Sequence, residues 1–198
     1  MTSRMILLIV ALVLPGLASA FSYDENIDGD LSGDRFNPTD LGVAALGSNL
    51  LSATSVANDL EYFTFNVVAG QQLDAIELLS WNSTDDVSFA AIQAGTVFTE
   101  PAAGTDVSNL LGWHHFGLPD LGTDFLDDMG SAFGVIGFTA PLSAGDYVFW
   151  FQETGPNPAA YSVDFKTSVV PVPAAVWLFV SALGVLGWRK RRVHRQLG

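Results

Sequence analysis

The sequence contains no cysteine and few charged residues, and both features narrow the classes of protein to which it can belong. The lack of cysteine excludes a disulfide scaffold, a thiolate zinc site and cysteine catalysis. Charged residues make up 15% and hydrophobic residues 49%, which argues against intrinsic disorder. Basic residues are scarcest, 8 against 21 acidic ones, and the pI is near 4.2. Nucleic acid is therefore not an expected partner, because phosphate requires a basic surface.

The few basic residues lie almost entirely at the two ends of the 198-residue chain. The region between the apolar ends holds all 21 acidic residues but only Arg35 and Lys166 as basic ones, a net charge of −19. Repulsion of this size favours solubility or a bound cation, and it disfavours polyanionic partners.

The first 20 residues have the pattern of a secretory signal peptide. Arg4 precedes the apolar run Met5–Leu14, and the small residues Ala18 and Ala20 form a cleavage site. The run is too short for a permanent membrane span. The pattern predicts an exported mature chain that begins at Phe21; an uncleaved anchor or a buried helix is the alternative.

The last 30 residues, 169–198, contain a second apolar block. Val169–Trp188 carries no charge, and about 20 helical residues match the hydrocarbon thickness of a bilayer. The prolines at 171 and 173 restrict the predicted transmembrane helix to residues 174–188. A basic cluster follows and places the C-terminus in the cytoplasm: Arg189, Lys190, Arg191 and Arg192. A permanent tail anchor and a buried core helix are the alternatives.

This tail resembles the PEP-CTERM class of bacterial protein-sorting signals, in its VPLPA-type variant. The residues that carry the resemblance are Val170, Pro171, Val172, Pro173, Ala174, Ala175, Val176, Trp177, Leu178 and Phe179, followed by the basic cluster. Val172 departs from the usual Leu or Glu. The resemblance implies an exosortase substrate that is held in the inner membrane of a Gram-negative bacterium until cleavage near Pro-x-Pro. It also implies release to the cell surface or matrix, in association with exopolysaccharide and biofilm.

Residues 21–168, which we call the body, show short strands separated by turns. The predicted strands are Leu60–Val68, Leu73–Ser80, Val87–Ala94, Asp146–Gln152 and Tyr161–Lys166, with Leu41–Leu46 and Leu50–Ser55 as a possible opening hairpin. Asp146–Gln152 is apolar on both faces, which predicts a central strand. No stretch has a long helical period. The body is therefore predicted to be all-β, an antiparallel β-sandwich or jelly roll of about eight strands.

The centre of the body also resembles the bacterial pre-peptidase C-terminal type of domain. The shared elements are Asn58–Phe65, Val68–Leu73 and Ala144–Tyr147. Members of that family are generally non-catalytic, and some bind calcium or matrix polymers. A Gly- and Asp-rich segment, Thr99–Ser131, interrupts the resemblance and is longer than a typical loop, which indicates a functional or mobile insertion.

The acidic segment at the start of the body predicts a calcium site, since oxygen-bearing side chains alternate before a glycine. The candidate ligands are Asp24, Asn26, Asp28, Asp30 (through its carbonyl) and Asp34. An EF-hand is excluded, because Arg35 stands where the bidentate Glu is needed. Asp59 or Glu61 are alternative closing acids, and a solvated acidic segment without metal is the alternative interpretation.

Trp113–Phe116 (WHHF) is the second candidate site. Adjacent histidines in an extended segment point to opposite sides, so they rarely bind one metal. Aromatic stacking on a sugar is a further interpretation, and the favoured one is that Trp113 and Phe116 close the edge of the sandwich. A polysaccharide hydrolase with two carboxylates, or a permanently anchored calcium- or glycan-binding module, are the rival functions. No catalytic motif is present, so a non-enzymatic protein is expected.

Overall fold

The computed structural model describes residues 19–85, 87–102, 104, 106–171, 178–179 and 181. Nine strands lie in these residues: β1 (Ser22–Asp24), β2 (Thr39–Val43), β3 (Leu50–Ser55), β4 (Leu60–Val67), β5 (Gln71–Asn82), β6 (Ser88–Ala94), β7 (Gly112–Phe116), β8 (Gly145–Glu153) and β9 (Ala159–Val169). Two short α-helices accompany them, α1 (Glu25–Asp28) and α2 (Leu126–Gly130), with a 3-10 turn at Leu118–Asp120. The prediction of a mostly β body without long helices is confirmed for these residues.

The strands form two sheets, with the orders β1–β3–β9–β5 and β2–β4–β8–β6–β7. Both sheets are mixed, because β1 pairs in parallel with β3, and β2 with β4. The prediction of purely antiparallel pairing is therefore wrong at these two edges. The physical reason is that the chain alternates between the sheets from β1 to β4, so that each parallel pair is joined through a strand of the opposite sheet.

The two sheets pack face to face over a core rich in phenylalanine. Phe63 and Phe65 of β4 alternate with outward residues and stack on Phe149 of β8, with ring centroids 5.1 and 5.2 Å apart. From the opposite sheet, Phe165 of β9 packs edge-on against Phe149 at 5.3 Å. All four rings are buried. Burial of rings from both sheets fixes which face of each strand points inward.

The longer predicted strands correspond to observed ones, whereas the predicted opening hairpin is wrong. Leu60–Val68 and Asp146–Gln152 match β4 and β8, and β8 lies between β4 and β6 in the middle of its sheet. The two arms of the hairpin fall in different sheets, as β2 and β3. The buried side chain of Asn49 explains the change of sheet: it bonds to the backbone of Ala45 and Phe165 and thereby ties this turn to β9.

The segment Thr99–Ser131, predicted to be a functional or mobile insertion, contains regular structure. It supplies β7, which pairs with β6 at the sheet edge, as well as the 3-10 turn and α2. Gly112 begins β7 beside the backbone of Met129 in α2, where a β-carbon would clash. Leu126 and Met129 are fully buried, so that α2 closes this end of the core.

The chain divides into two units, Met1–Ser168 and Val169–Gly198. The signal peptide lies outside the described residues except for positions 19 and 20. The tail helix predicted over residues 174–188 lies outside them except for positions 178, 179 and 181. Within the described stretches, no helix combines the length and the apolar character that a membrane span requires.

Candidate functional site

The acidic residues at the start of the body are held by local hydrogen bonds around α1. Asp24 caps this helix: its Oδ1 accepts from the backbone N–H of Asn26 at 3.0 Å and from the Asn26 amide at 3.0 Å. Asp28 closes the turn by accepting the N–H of Asp24 at 2.9 Å. Asp30 is exposed beyond the helix. Three of the predicted calcium ligands are thus brought together, but as a helix cap.

Asp34, the fifth predicted ligand, belongs to a separate turn. Its carboxylate accepts from the side-chain amide of Asn37 at 2.7 Å and from the N–H of Phe36 at 2.9 Å. The Asn37 hydrogen bond, followed by the Phe36 one, lowers the pKa of Asp34. In the described parts of the chain, no three acidic or histidine side chains are arranged to hold a metal ion. Calcium binding by this segment stays a prediction.

A buried carboxyl group lies on β4 beneath this acidic segment. Glu61 is fully buried, its Oε2 accepts the hydroxyl hydrogen of Tyr161, and its Oε1 has no hydrogen-bond partner among the described residues. Burial raises the pKa of Glu61 to about 8, and the hydrogen bond from Tyr161 opposes this rise only in part. At neutral pH the group is therefore largely protonated.

Three further acids surround Glu61 electrostatically and add to the rise in its pKa: Glu25, Asp59 and Asp30. Burial also raises the pKa of Glu25, against the backbone N–H groups of Thr54 and Leu31, which both donate to its carboxylate. Glu25 thus fastens the N-terminal segment to β3. The sequence named Asp59 and Glu61 as acids that could close a calcium site, but it did not predict that Glu61 would be buried and bonded to Tyr161.

The two adjacent histidines of β7 lie on opposite faces of the sheet, as the extended spacing predicts. On the inner face His114 stacks on Phe125, with centroids 5.7 Å apart, and its Nε2 lies 3.2 Å from Asp120 Oδ1. His115 is exposed on the outer face, beside Phe89. Phe116 is buried in the core at the sheet edge, whereas Trp113 lies on the outer face.

That outer face carries a cleft of about 260 Å³. Phe89 of β6, His115 of β7 and both Trp150 and Gln152 of β8 form its floor. The loop that follows β6 supplies the opposite wall, through Glu100, Pro101, Ala102, Gly104, Asp106, Val107 and Leu110. Sheet register explains the floor, since Phe89 pairs with His115 on one side and with Gln152 on the other.

A second cleft, of about 360 Å³, lies where β2 meets β4. Four of its five polar side chains, all but that of Thr96, have partners among the described residues. Asp40 accepts from the N–H of Gly42 at 2.8 Å, Asn66 donates to Asp146 at 2.7 Å, and Thr64 donates to a backbone carbonyl. This cleft therefore offers few free polar groups to a ligand, in contrast to the aromatic one.

The predicted processing residues lie at the two borders of the body. Ala20 is exposed, while Ala18 lies outside the described residues. In the sorting signal, Val170 and Pro171 are exposed, and the remaining predicted residues lie outside the described ones: Val172, Pro173, Ala174, Ala175, Trp177, Arg189, Lys190, Arg191 and Arg192. Comparison of the chain with protein-family models, with curated proteins and with solved structures gives no match.

Proposed function

We propose that this chain is an exported, non-enzymatic surface or extracellular-matrix protein of a Gram-negative bacterium, associated with exopolysaccharide. In this proposal signal peptidase removes the N-terminal segment. The tail then holds the protein in the inner membrane until exosortase cleaves it. The observation that carries the proposal is that the packed body ends just inside both processing points. The two face-to-face sheets support a β-sandwich as its architecture.

The borders of the body support cleavage without damage to the fold. Phe21, the first residue after the proposed signal cleavage, packs its ring 5.3 Å from that of Phe65, and its carbonyl accepts the N–H of Leu50. At the other end β9 stops at Val169, which is 59% exposed. Among the described residues, removal of either flank therefore takes none from the two core clusters.

Asp106 and Glu153 are unsuited to act as the general acid of a glycosidase, which supports a non-enzymatic role; Glu61, whose pKa is raised, is fully buried. Asp106 lies in the aromatic cleft, where the side chain and backbone N–H of Ser108 lower its pKa. The general acid of a glycosidase needs the opposite, a raised pKa. The buried Glu153 uses both oxygens internally, accepting from the Ser88 hydroxyl and the N–H of Gly155 at 2.6 Å each.

Intact-mass analysis of the protein in an exosortase-encoding host tests the proposal. Surface material should consist of chains that begin at Phe21 and end near the Pro171–Pro173 motif, without the basic cluster. A variant with both prolines replaced by alanine is the matched control and should stay in the membrane fraction with its tail. Surface chains that still end at Gly198 would show that processing by exosortase is wrong and would favour a permanent anchor.

A further inference from the structure

We propose that the outer-face cleft binds a neutral sugar unit of an extracellular glycan, with Phe89, Trp150 and Gln152 as the main contacts. This inference deepens the proposed association with exopolysaccharide and rests on it. Stacking of the WHHF aromatic residues on a sugar was one alternative interpretation of the sequence. The structure instead places Trp113 beside the cleft as support, with its ring 6.2 Å from that of Phe89.

The floor of the cleft is an aromatic surface held in place by its neighbours. The rings of Phe89 and Trp150 are 4.8 Å apart and meet edge to face. His115 packs edge-on against Phe89 at 5.5 Å. Solvent-facing sheet surfaces normally carry polar residues, so a cluster of partly exposed rings at this place is a feature that solubility does not explain.

The opposite wall is anchored at both of its ends. Phe98 and Leu110 are buried at the two ends of the loop, and the ring of Phe98 lies 5.8 Å from that of Trp150. The side chain of Gln93 ties the loop together by donating to Thr99 Oγ1 at 2.7 Å and to the carbonyl of Asn109 at 3.1 Å.

Polar groups without partners line the same cleft. Trp150 is 7% exposed, and its Nε1 donor has no hydrogen-bond partner among the described residues. No hydrogen bond joins the amide of Gln152 to another described side chain, and both hydrogen bonds that reach the Glu100 carboxylate end on Oε1. Because the Trp150 Nε1 is itself buried, the free polar groups that a ligand can reach here are the Gln152 amide and Glu100 Oε2, and both suit a ligand with hydroxyl groups.

Charge and chemistry select the class of ligand. No lysine or arginine lines the cleft, and Glu100 and Asp106 stand at its wall, in a body of net charge −19. An anionic sugar would be repelled. A quaternary ammonium ion would suit the rings and the carboxylates, but it has no acceptor for the Gln152 amide N–H groups. A neutral sugar offers apolar C–H faces to the rings and hydroxyls that both donate and accept. The volume lies just below the roughly 300–1,000 Å³ of drug-sized sites, which fits one sugar unit.

The test uses the full chain in a polyoxyethylene detergent, which has no sugar headgroup. Binding is first measured on an array of neutral hexose and N-acetylhexosamine oligosaccharides. Uronate oligosaccharides and choline serve as further probes, so that the array identifies the ligand class. Isothermal titration then measures the affinity of the best neutral oligosaccharide. We expect Phe89→Ala to weaken it roughly tenfold, by loss of the apolar floor. Gln152→Leu, which keeps the volume and thus the fold, should weaken it roughly fivefold.

Phe133→Ala is the matched control, because Phe133 is an aromatic residue that is 91% exposed and does not line the cleft. Its affinity should equal that of the unmodified chain. The inference is overturned if no neutral oligosaccharide binds at millimolar concentration, if uronates or choline bind instead, or if Gln152→Leu binds unchanged. New reducing ends in the bound glycan would overturn it in favour of a hydrolase. None of these outcomes changes the C-terminus that intact-mass analysis detects on surface chains. Failure of the sugar site and failure of exosortase processing are therefore distinguishable.

Discussion

The buried carboxyl group of Glu61 should make the body less stable as the pH rises, and replacing it with glutamine should reduce that dependence. Burial raises the pKa of Glu61 from its ordinary value of 4.5 to about 8 in the folded chain. Below pH 4.5 both the folded and the unfolded chain hold the proton, and the stabilisation is complete. Between pH 4.5 and 8 only the folded chain keeps it, so the free energy of unfolding falls with pH.

The structure sets the size of this effect. Since a tenfold change in proton affinity is worth about 1.4 kcal/mol, the full rise in pKa corresponds to about 5 kcal/mol lost by pH 8. Glu61 faces Tyr161, which donates to it, and the acids Glu25, Asp59 and Asp30. Burial also raises the pKa values of Glu25 and Asp59, which therefore add a slope of the same sign. The contribution of Glu61 is therefore obtained from the difference in the free energy of unfolding between the unmodified body and Glu61→Gln.

The test compares the unmodified body, residues 21–168, with Glu61→Gln. Urea unfolding of each is monitored by far-UV circular dichroism at pH values from 4.5 to 9. Both hydrophobic clusters lie within these residues. Glutamine keeps the acceptor for Tyr161 but does not titrate, so the variant should become the more stable of the two as the pH rises. Tyr161→Phe removes the hydrogen bond that lowers the pKa of Glu61, and should extend the fall in stability to higher pH. The reasoning would be refuted if the free energies of unfolding of the unmodified body and of Glu61→Gln changed with pH in parallel.

Three further predictions concern the core, the sheet edge and the acidic segment. Phe149→Ala should lower the free energy of unfolding in urea by about 3–5 kcal/mol, because it empties the centre of the aromatic core. Phe133→Ala should change it by no more than about 0.5 kcal/mol. Equal losses in the two variants would contradict the placement of Phe149 in the core. Gly112→Ala places a β-carbon against the carbonyl of Met129. It should therefore speed amide exchange in β7 and α2 while leaving β4 protected. Isothermal titration of the body with millimolar calcium tests the calcium prediction: heat that Asp24→Asn reduces would support it, and a titration without heat would remove it.

The sequence predicted the strands whose side chains alternate clearly and failed where a buried polar group decides the path. β4 and β8 were foreseen because aromatic residues at every second position require a buried face. The turn before β3 was read as a hairpin, since nothing in its composition shows that Asn49 bonds across 116 positions to Phe165. Hydrogen bonds of that range depend on the topology, and local patterns do not encode them.

The candidate cleft was only partly foreseeable for the same reason. The spacing of β7 places Trp113 and His115 on one face, as observed. Their neighbours Phe89 and Gln152 come from strands that are 26 and 37 positions away from His115, and only the pairing register joins them. Sequence can therefore name one side of such a site. It cannot name the other side before the strand order is known.

Strand β8 connects the stability of the body with its proposed binding surface. Its inward residues Phe149 and Phe151 fill the core, while Val148 and Trp150 face a second apolar cluster on the other side. A sheet with two apolar faces must be covered on both. The opposite sheet covers one face fully, whereas the loop after β6 covers the other only in part and leaves Phe89 half-buried. The proposed sugar site lies at this partly covered region, so β8 contributes both to the core and to the proposed binding surface.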